Sequence, residues 1–347
     1  MSEPRHRVTL NDVAAASGVS RATASFVLRD SPGQSISAAT SERVRAAARS
    51  LGYVPNGIAR ALREGTSRIV ILVMDPAMEG NYARSYTRGL DAELAAHDHV
   101  LLIRYAHGPA SAGSAARGDF PLGGAQSPGE LGGDPVLDAI VPRAVLLFGG
   151  AYLTGHELDD SGGGRRDGLA AHVSAQIGYL FERGHRRLAL ALPADSPLCE
   201  IRQRFANQAA AALGMPPLAP LFISRSGDCE SSSVTDAAAS LSALLATEAE
   251  RPDSANCPGR ITAIAAFDDD VALRVLSAMR VLALTAPADL AVIGFDDNGY
   301  GALTKPTLTT VHIDAEVHGR QTARAILGKP ADDLSPAPGK VITRESA

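Results

Sequence analysis

The chain has 347 residues, 45% of them apolar, so it is long enough for two or three domains with sizeable cores. Its three cysteines form no C-x-x-C pair, and no histidine cluster has zinc spacing, which excludes a disulfide scaffold and a zinc site. No apolar run approaches the roughly 18 residues of a membrane span, and residues 1–10 lack the apolar core of a signal peptide. We therefore expect a cytoplasmic protein with no membrane association, metal or cofactor.

Charge is unevenly distributed along the chain. Residues 1–68 hold ten arginines and five acidic residues, whereas the remainder has an acidic excess that brings the formal net charge to −5. A basic head on an acidic body is typical of a nucleic-acid-binding module joined to a regulatory domain.

The first predicted helix follows Thr9. Threonine is a good N-cap, and Asp12 places a negative charge in the first turn, where the helix dipole favours it. Gly18 ends the helix. Its buried face is predicted to consist of Leu10, Val13, Ala14 and Ser17.

A second predicted helix begins immediately after Ser20. Two short helices joined by a tight turn that contains glycine are a helix-turn-helix unit, whose second helix enters the DNA major groove. The inward positions are Ala24, Val27 and Leu28. The outward positions are Arg21, Ala22, Ser25, Phe26 and Arg29. Arg21, Ala22 and Ser25 are therefore candidates for base contact.

Phe26 is an uncommon residue for a surface that faces DNA. It could press against a thymine methyl group or fold back into the core. A third helix is predicted over residues 37–51, with an inward face of Val44, Ala47, Ala48 and Leu51. Without further signals, these three helices could also form a plain helical bundle.

Beyond residue 68, apolar strands alternate with amphipathic helices, which predicts a parallel sheet covered by helices. Strands are predicted over residues 69–74, 100–103, 145–148, 188–192, 221–223, 261–267 and 290–295. Helices are predicted over residues 88–97, 174–183, 201–213, 234–246 and 271–279. Residues 106–135 are rich in Ala, Gly, Ser and Pro and are predicted to form a loop or an insertion.

Asp268, Asp269 and Asp270 stand where a buried strand ends and a helix starts. Ligands bind outside the carboxyl ends of strands in open α/β sheets, so these aspartates are candidate ligand contacts. Helix capping is the alternative, and at least one of them is expected to cap. A metal site would need more oxygen ligands than the sequence supplies.

The head resembles the LacI family of transcriptional regulators through VTLNDVAAASGVSRATASFVL and SERVRAAARSLGYVPNGIARALREGTSR. The body resembles that family's regulatory domain at GHRRL, FDDDVA, VIGFDD, LTTV and VITRES. The resemblance implies an all-α helix-turn-helix head plus an α/β two-lobed, periplasmic-binding-protein-like regulatory domain. The implied boundaries are 1–63 for the head, with a hinge helix near 55–63, 64–68 for a linker, and 69–347 for the body.

The resemblance also implies which residues contact DNA. They are Thr9, Ser20, Arg21, Ala22, Thr23, Ser25, Phe26, Asn56, Ala59 and Leu62. In the family, the hinge helices of a dimer lie in the minor groove, where the residue matching Leu62 wedges between base pairs and kinks the duplex.

For the effector, the resemblance implies an arginine at Arg204 and an aspartate at Asp269, with Asp75 as a candidate from the other lobe. Such charged groups would make strong hydrogen bonds to a polyol. Cys229 stands where sugar-binding members carry an aromatic ring.

The expected function is therefore a homodimeric regulator, a repressor above all, that binds a pseudo-palindromic double-stranded operator under control of a small, sugar-like effector. An activator, an effector-independent regulator and a receptor without a DNA role are the alternatives. No catalytic motif is present, so no enzyme activity is expected.

Overall fold

The computed structural model describes residues 8–28, 35–53, 67–74, 80–105, 142–148, 168–194, 199–224, 230–250 and 260–347. These residues divide into two compact units, with the boundary between Ser67 and Arg68. The first unit is the helical head and the second is the α/β body, as the sequence predicts.

The head consists of α1 (Leu10–Ser17), α2 (Arg21–Leu28) and α3 (Ala38–Leu51). Gly18 and Gly52 end α1 and α3 in the left-handed backbone conformation that glycine adopts without steric cost. The helices close over one apolar core, formed by Val13, Ala14, Ala24, Val27, Val44 and Ala48. The predicted inward faces of the helices are thus largely confirmed.

Two predictions for the head are wrong. Ser25 is buried rather than outward, because α2 packs against both of its neighbours and its inward stripe is wider than the sequence spacing suggests. Leu51 is exposed rather than inward, because it occupies the last turn of α3, beyond the reach of α1 and α2.

The body contains nine strands, six helices and a short 3-10 helix among its described residues, in the following order. They are β1 (Ile69–Met74), α4 (Asn81–Ala95), β2 (Val100–Tyr105), β3 (Ala144–Leu147), α5 (Leu169–Glu182), β4 (Leu188–Pro193), α6 (Cys199–Ala212), β5 (Ala219–Ile223), α7 (Glu230–Ala249), β6 (Ala263–Ala266), α8 (Asp269–Val281), β7 (Ala291–Ile293), the 3-10 helix (Tyr300–Leu303), β8 (Thr310–His312), α9 (Glu316–Ile326) and β9 (Lys340–Ile342).

The strands form two parallel sheets and therefore two lobes. The N lobe has the order β2-β1-β3, and the C lobe has the order β5-β4-β6-β7. A third, antiparallel pair joins β8 to β9. The N-lobe core combines β1 and β3 with α4 and with Ala323 of α9, so that lobe is built from distant parts of the chain.

Most predicted elements of the body are present with shifted ends. The predicted helix at 88–97 instead runs over Asn81–Ala95, because Gly80 in extended conformation starts it two turns earlier. Helix α9 was not predicted, because Gly319 interrupts its apolar pattern and weakens the local preference for a helix. The segment 106–135 lies outside the described residues.

Candidate functional sites

The first site is the outer face of α2 in the head. Ser20 caps this helix, since its hydroxyl oxygen accepts a hydrogen bond from the Thr23 amide at 3.0 Å. Arg21, Ala22 and Phe26 are exposed there, and Thr23 is half-buried. The surface thus offers one guanidinium and two apolar groups at the start of the helix that follows the turn.

The start of α1 lies in the same unit and is held by a capping interaction. The Thr9 amide and hydroxyl both donate to one carboxylate oxygen of Asp12, at 2.7 Å each. Thr9 and Ser20 are exposed, as a DNA-contacting role requires. The predicted hinge residues Asn56, Ala59 and Leu62 lie outside the described residues.

The second site is the segment that follows β7 in the C lobe. Asp269, only 1% exposed, holds this segment in place. One of its carboxylate oxygens accepts from the Phe295 amide at 2.9 Å and from the Thr310 hydroxyl at 2.5 Å, and the other accepts from the Asn298 amide at 2.9 Å. Burial raises the pKa of Asp269 to about 6, although these hydrogen bonds favour its ionised form.

Arg202 and Gln176 hold the same segment from the opposite side. The Gln176 amide donates to the carbonyls of Ala266 and Gly294, both at 2.9 Å, where β6 and β7 end. Arg202 donates to the side-chain oxygen of Gln176 at 3.1 Å, and its guanidinium lies 3.7 Å from the centre of the Phe295 ring. Both side chains are buried.

Held in this way, the segment presents Asp296 to the N lobe. The Asp296 carboxylate accepts a hydrogen bond from the Tyr82 amide at 2.6 Å, in the first turn of α4. Nearby, Asn81 donates to the Ile313 carbonyl at 2.6 Å and Arg84 donates to the Asn298 carbonyl at 2.9 Å. We call this set of bonds the interlobe contact.

Asp296 has two properties typical of a functional group. Burial raises its pKa to about 8, and nearby Asp269 raises it further. Asp296 and Asp297 both have a left-handed backbone, with φ of 89° and 50°. Aspartate rarely adopts this strained conformation, which clusters at ligand-binding and switching sites.

Asp297 ties this segment to β8 and to the residues after β9. It accepts from Arg344 at 2.9 Å and pairs with His312 at 3.0 Å. Burial opposes ionisation of Asp297, but the hydrogen bonds from Arg344 and His312 outweigh it and hold the pKa of this carboxyl below its usual value. The segment is therefore fixed by charged contacts on both sides of Asp296.

The structure corrects two residue assignments made from the sequence. Arg204 is exposed, because it lies on the outer face of α6, and Arg202 is the arginine that reaches the strand ends. The cap of α8 is Asp268, which accepts from the Val271 amide at 2.8 Å, so Asp269 is free of that role. Asp75 and Cys229 lie outside the described residues.

Sequence reasoning did not select Asp296. The stretch Val292–Asp297 served there only as a family landmark, although it ends a buried strand in the same manner as Asp268–Asp270. The signal that could have identified Asp296 is this position after a central strand. Its contact with α4 depends on a chain separation of 214 residues, which no local pattern reveals.

In the described ranges, no group of three His, Cys, Asp or Glu side chains is arranged to hold a metal ion. Nor does any helix in those ranges have the length and apolar content that a membrane crossing requires.

Comparison with known proteins connects these two sites. Residues 9–56 match the model of bacterial regulatory proteins of the lacI family, and residues 177–347 match that of a periplasmic binding protein-like domain. The chain belongs to the LacI family. This LacI-family chain is therefore a DNA-binding transcriptional regulator, and α2 is its recognition helix.

Characterised regulators resemble the chain along nearly its whole length. It is 29% identical over 343 residues to the transcriptional regulator CelR of Thermobifida fusca, with 94% of this chain and 93% of CelR covered. It is also 29% identical over 341 residues to the transcriptional repressor CytR of Escherichia coli K12, with 92% and 89% covered.

Solved structures of LacI-family proteins share the fold. The lac repressor dimer bound to operator and the anti-inducer ONPF has a TM-score of 0.65 at 18% identity, with 98% of this chain and 99% of the repressor chain covered. A complex of CelR with cellobiose has a TM-score of 0.53 at 22% identity, with 98% and 100% covered.

Proposed function

We propose that this LacI-family regulator is a homodimeric repressor whose affinity for a pseudo-palindromic operator is controlled by a small polyhydroxy effector. The effector would bind where Asp296 of the C lobe meets the first turn of α4 in the N lobe. The observation that carries this proposal is the hydrogen bond from the Tyr82 amide to the buried Asp296 carboxylate.

The chemistry of the interlobe contact suits hydroxyl groups. Asp296 satisfies backbone donors of α4 that would otherwise lack a partner at the helix start. A ligand hydroxyl could donate to the same carboxylate, and its oxygen could accept from the helix amides in turn. A ligand that enters here would therefore replace direct bonds between the lobes with bridging ones and change their relative position.

Arg202 and Asp269 have supporting roles in this proposal. Arg202 lies beneath Phe295, the neighbour of Asp296, while Asp269 fixes the backbone on both sides of it. Direct effector contact by Asp269 stays a prediction, although both of its oxygens already accept hydrogen bonds within the protein. The relatives support the effector class, since CelR has been solved with cellobiose.

Repression and dimerisation are supported by the relatives and by physical reasoning. CytR is named a repressor, and the lac repressor was solved as a dimer on its operator. Two heads related by a two-fold axis would read a palindrome, with each α2 in one major groove. Such a regulator would act in the cytoplasm and would carry no catalytic activity.

The test begins with selection of a preferred duplex from a random pool by the full chain. Fluorescence anisotropy then measures operator affinity while mono- and disaccharides, polyols and nucleosides are added. We expect one class of ligand to change the affinity and to raise the melting temperature of the protein, because it binds the folded state.

The Asp296→Ala variant should lose this ligand response while it still binds the operator. Arg204→Ala is the matched control, because its exposed side chain lies on the outer face of α6, and this variant should respond normally. If the chain selects no duplex, the proposed function is wrong. A normal ligand response in Asp296→Ala would place the effector elsewhere.

A further inference from the structure

Phe26 is a large apolar side chain on the outer face of the recognition helix. It is 36% exposed and is not among the side chains that form or flank the core of the head. The core accepts Ala24 and Val27 from the same helix, so the fold leaves Phe26 outside it while its neighbours pack inward. The structure therefore excludes the alternative that Phe26 folds back into this core.

Ala22 and Phe26 form one apolar strip. They lie four residues apart on α2, and side chains at this spacing stand one above the other on a helix surface. Both are exposed, and Arg21 adjoins them in the first turn. The strip thus begins at the end of α2 that enters the major groove.

The major groove offers such a strip one matching group. Base edges in this groove present hydrogen-bond donors and acceptors, which neither alanine nor phenylalanine can satisfy, and the C5-methyl group of thymine. Contact with any polar edge would desolvate that edge without a new hydrogen bond, which costs free energy. Only the methyl group gains free energy from contact with an apolar side chain.

We propose that Phe26, together with Ala22, selects a thymine in each operator half-site by contact with its C5-methyl group. This inference rests on the proposed operator binding and adds the chemistry that one position of the operator must have. Arg21 would read a neighbouring guanine, whereas the Phe26 position reads shape and apolar surface.

The test uses the duplex selected by the full chain. Each thymine is replaced in turn by deoxyuridine, which removes the methyl group and leaves every hydrogen-bonding atom in place. We expect one position in each half-site at which the replacement weakens binding about fourfold, the loss that corresponds to one buried methyl group. Replacement at the other thymines should leave the affinity unchanged.

Phe26→Ala should bind the thymine and deoxyuridine duplexes with equal affinity, while Phe26→Leu should keep a preference for thymine. Leu51→Ala is the matched control, because Leu51 is 37% exposed on a different helix of the head, and it should discriminate as the native chain does. Circular dichroism on each variant verifies that the head remains folded.

Native protein that binds all deoxyuridine duplexes as tightly as the selected one would overturn this inference. So would a Phe26→Ala variant that is folded and keeps the full preference for thymine. In either case the proposed operator binding would stand, because the chain has already selected a duplex. Failure to select any duplex would overturn both proposals together.

Discussion

At the scale of single residues, the body places several ionisable groups where water cannot reach them. Asp269 and Asp296 are both buried beside the end of β7, and burial raises the pKa of each, to about 6 and about 8. An unfolded aspartate has a pKa near 3.8. The folded chain therefore binds more protons than the unfolded chain over the intervening pH range, which makes stability depend on pH.

We expect the free energy of unfolding to fall as pH rises from about 4, and to level off near pH 8. Stability is highest below the unfolded pKa and is lost as pH rises through the folded one, because ionisation leaves a poorly solvated carboxylate. Where only Asp296 titrates, the slope approaches about 1.4 kcal/mol per pH unit. The measurement is urea denaturation at pH values from 4 to 9.

Asp296→Asn should remove the decline between about pH 6 and pH 8 and leave the part that belongs to Asp269. Arg84 is the nearest opposing charge at this site and is unchanged in the variant. Asp289→Asn is a suitable control, because hydrogen bonds from Thr285 lower the pKa of that exposed aspartate. An unchanged slope above pH 6 in Asp296→Asn would contradict the prediction.

A second residue-scale prediction concerns the buried ion pair between Arg187 and Glu248. Arg187 donates twice to one oxygen of Glu248, at 2.9 and 2.6 Å, and connects the start of β4 to α7. Glu248→Ala should lower the free energy of unfolding by about 3–5 kcal/mol, because it leaves a buried guanidinium uncompensated. Replacing both residues, as Arg187→Met with Glu248→Leu, should restore most of the loss. Denaturation midpoints that rank these variants otherwise would count against this view.

At the scale of secondary structure elements, the contact between α4 and α9 is unusually close. A Cβ atom on Gly319 would lie 2.0 Å from the Tyr86 carbonyl oxygen, and one on Gly89 would lie 1.9 Å from the Glu316 carbonyl oxygen. The backbones therefore touch at two points. Glu93 strengthens the pair by accepting from Arg324 at 2.7 Å.

Gly319→Ala should destabilise the body by about 1–3 kcal/mol or more, because the new methyl group must push the helices apart. Gly178→Ala provides the opposite case, since Gly178 lies inside α5 and a Cβ atom added there would meet nothing within 4 Å. That substitution should stabilise the body by about 0.5–1 kcal/mol, because alanine favours a helix more than glycine does. Melting temperatures that move in the same direction for both variants would contradict the packing argument.

The same helix pair shows what sequence patterns could and could not predict. Strand β1 was predicted with the bounds it has, because a continuous apolar run bounded by polar residues needs no partner to be recognised. The glycine of α9 reads as a helix breaker unless its neighbour Tyr86, far away in the chain, is known. The DNA-contacting face of α2 was likewise largely predicted, because one local period defines it, whereas Asp296 depends on long-range contacts.

At the scale of the whole molecule, the two units have separate cores. The head closes over its own cluster around Val13 and Val44, and the body has further clusters of its own in each lobe. We therefore expect a fragment of residues 68–347 to fold without the head.

In calorimetry, this fragment should melt at the temperature of the body transition of the full chain and should keep the proposed effector response. It should not bind the selected duplex, because it lacks α2. The full chain under the same conditions is the reference. A fragment that is unfolded, or that has lost the ligand-induced rise in melting temperature, would show that the head is needed for the body to function.

The chain separation between α4 and α9 has a consequence for synthesis on the ribosome. Glu93 and Arg324 are 231 residues apart, so α4 leaves the ribosome long before its partner helix exists. At translation rates of roughly 5–20 residues per second, the interval is on the order of 10–50 seconds. During this time, the face of α4 that Gly319 later covers is open to other chains. The N lobe is thus the part of this regulator for which a nascent-chain chaperone would matter most.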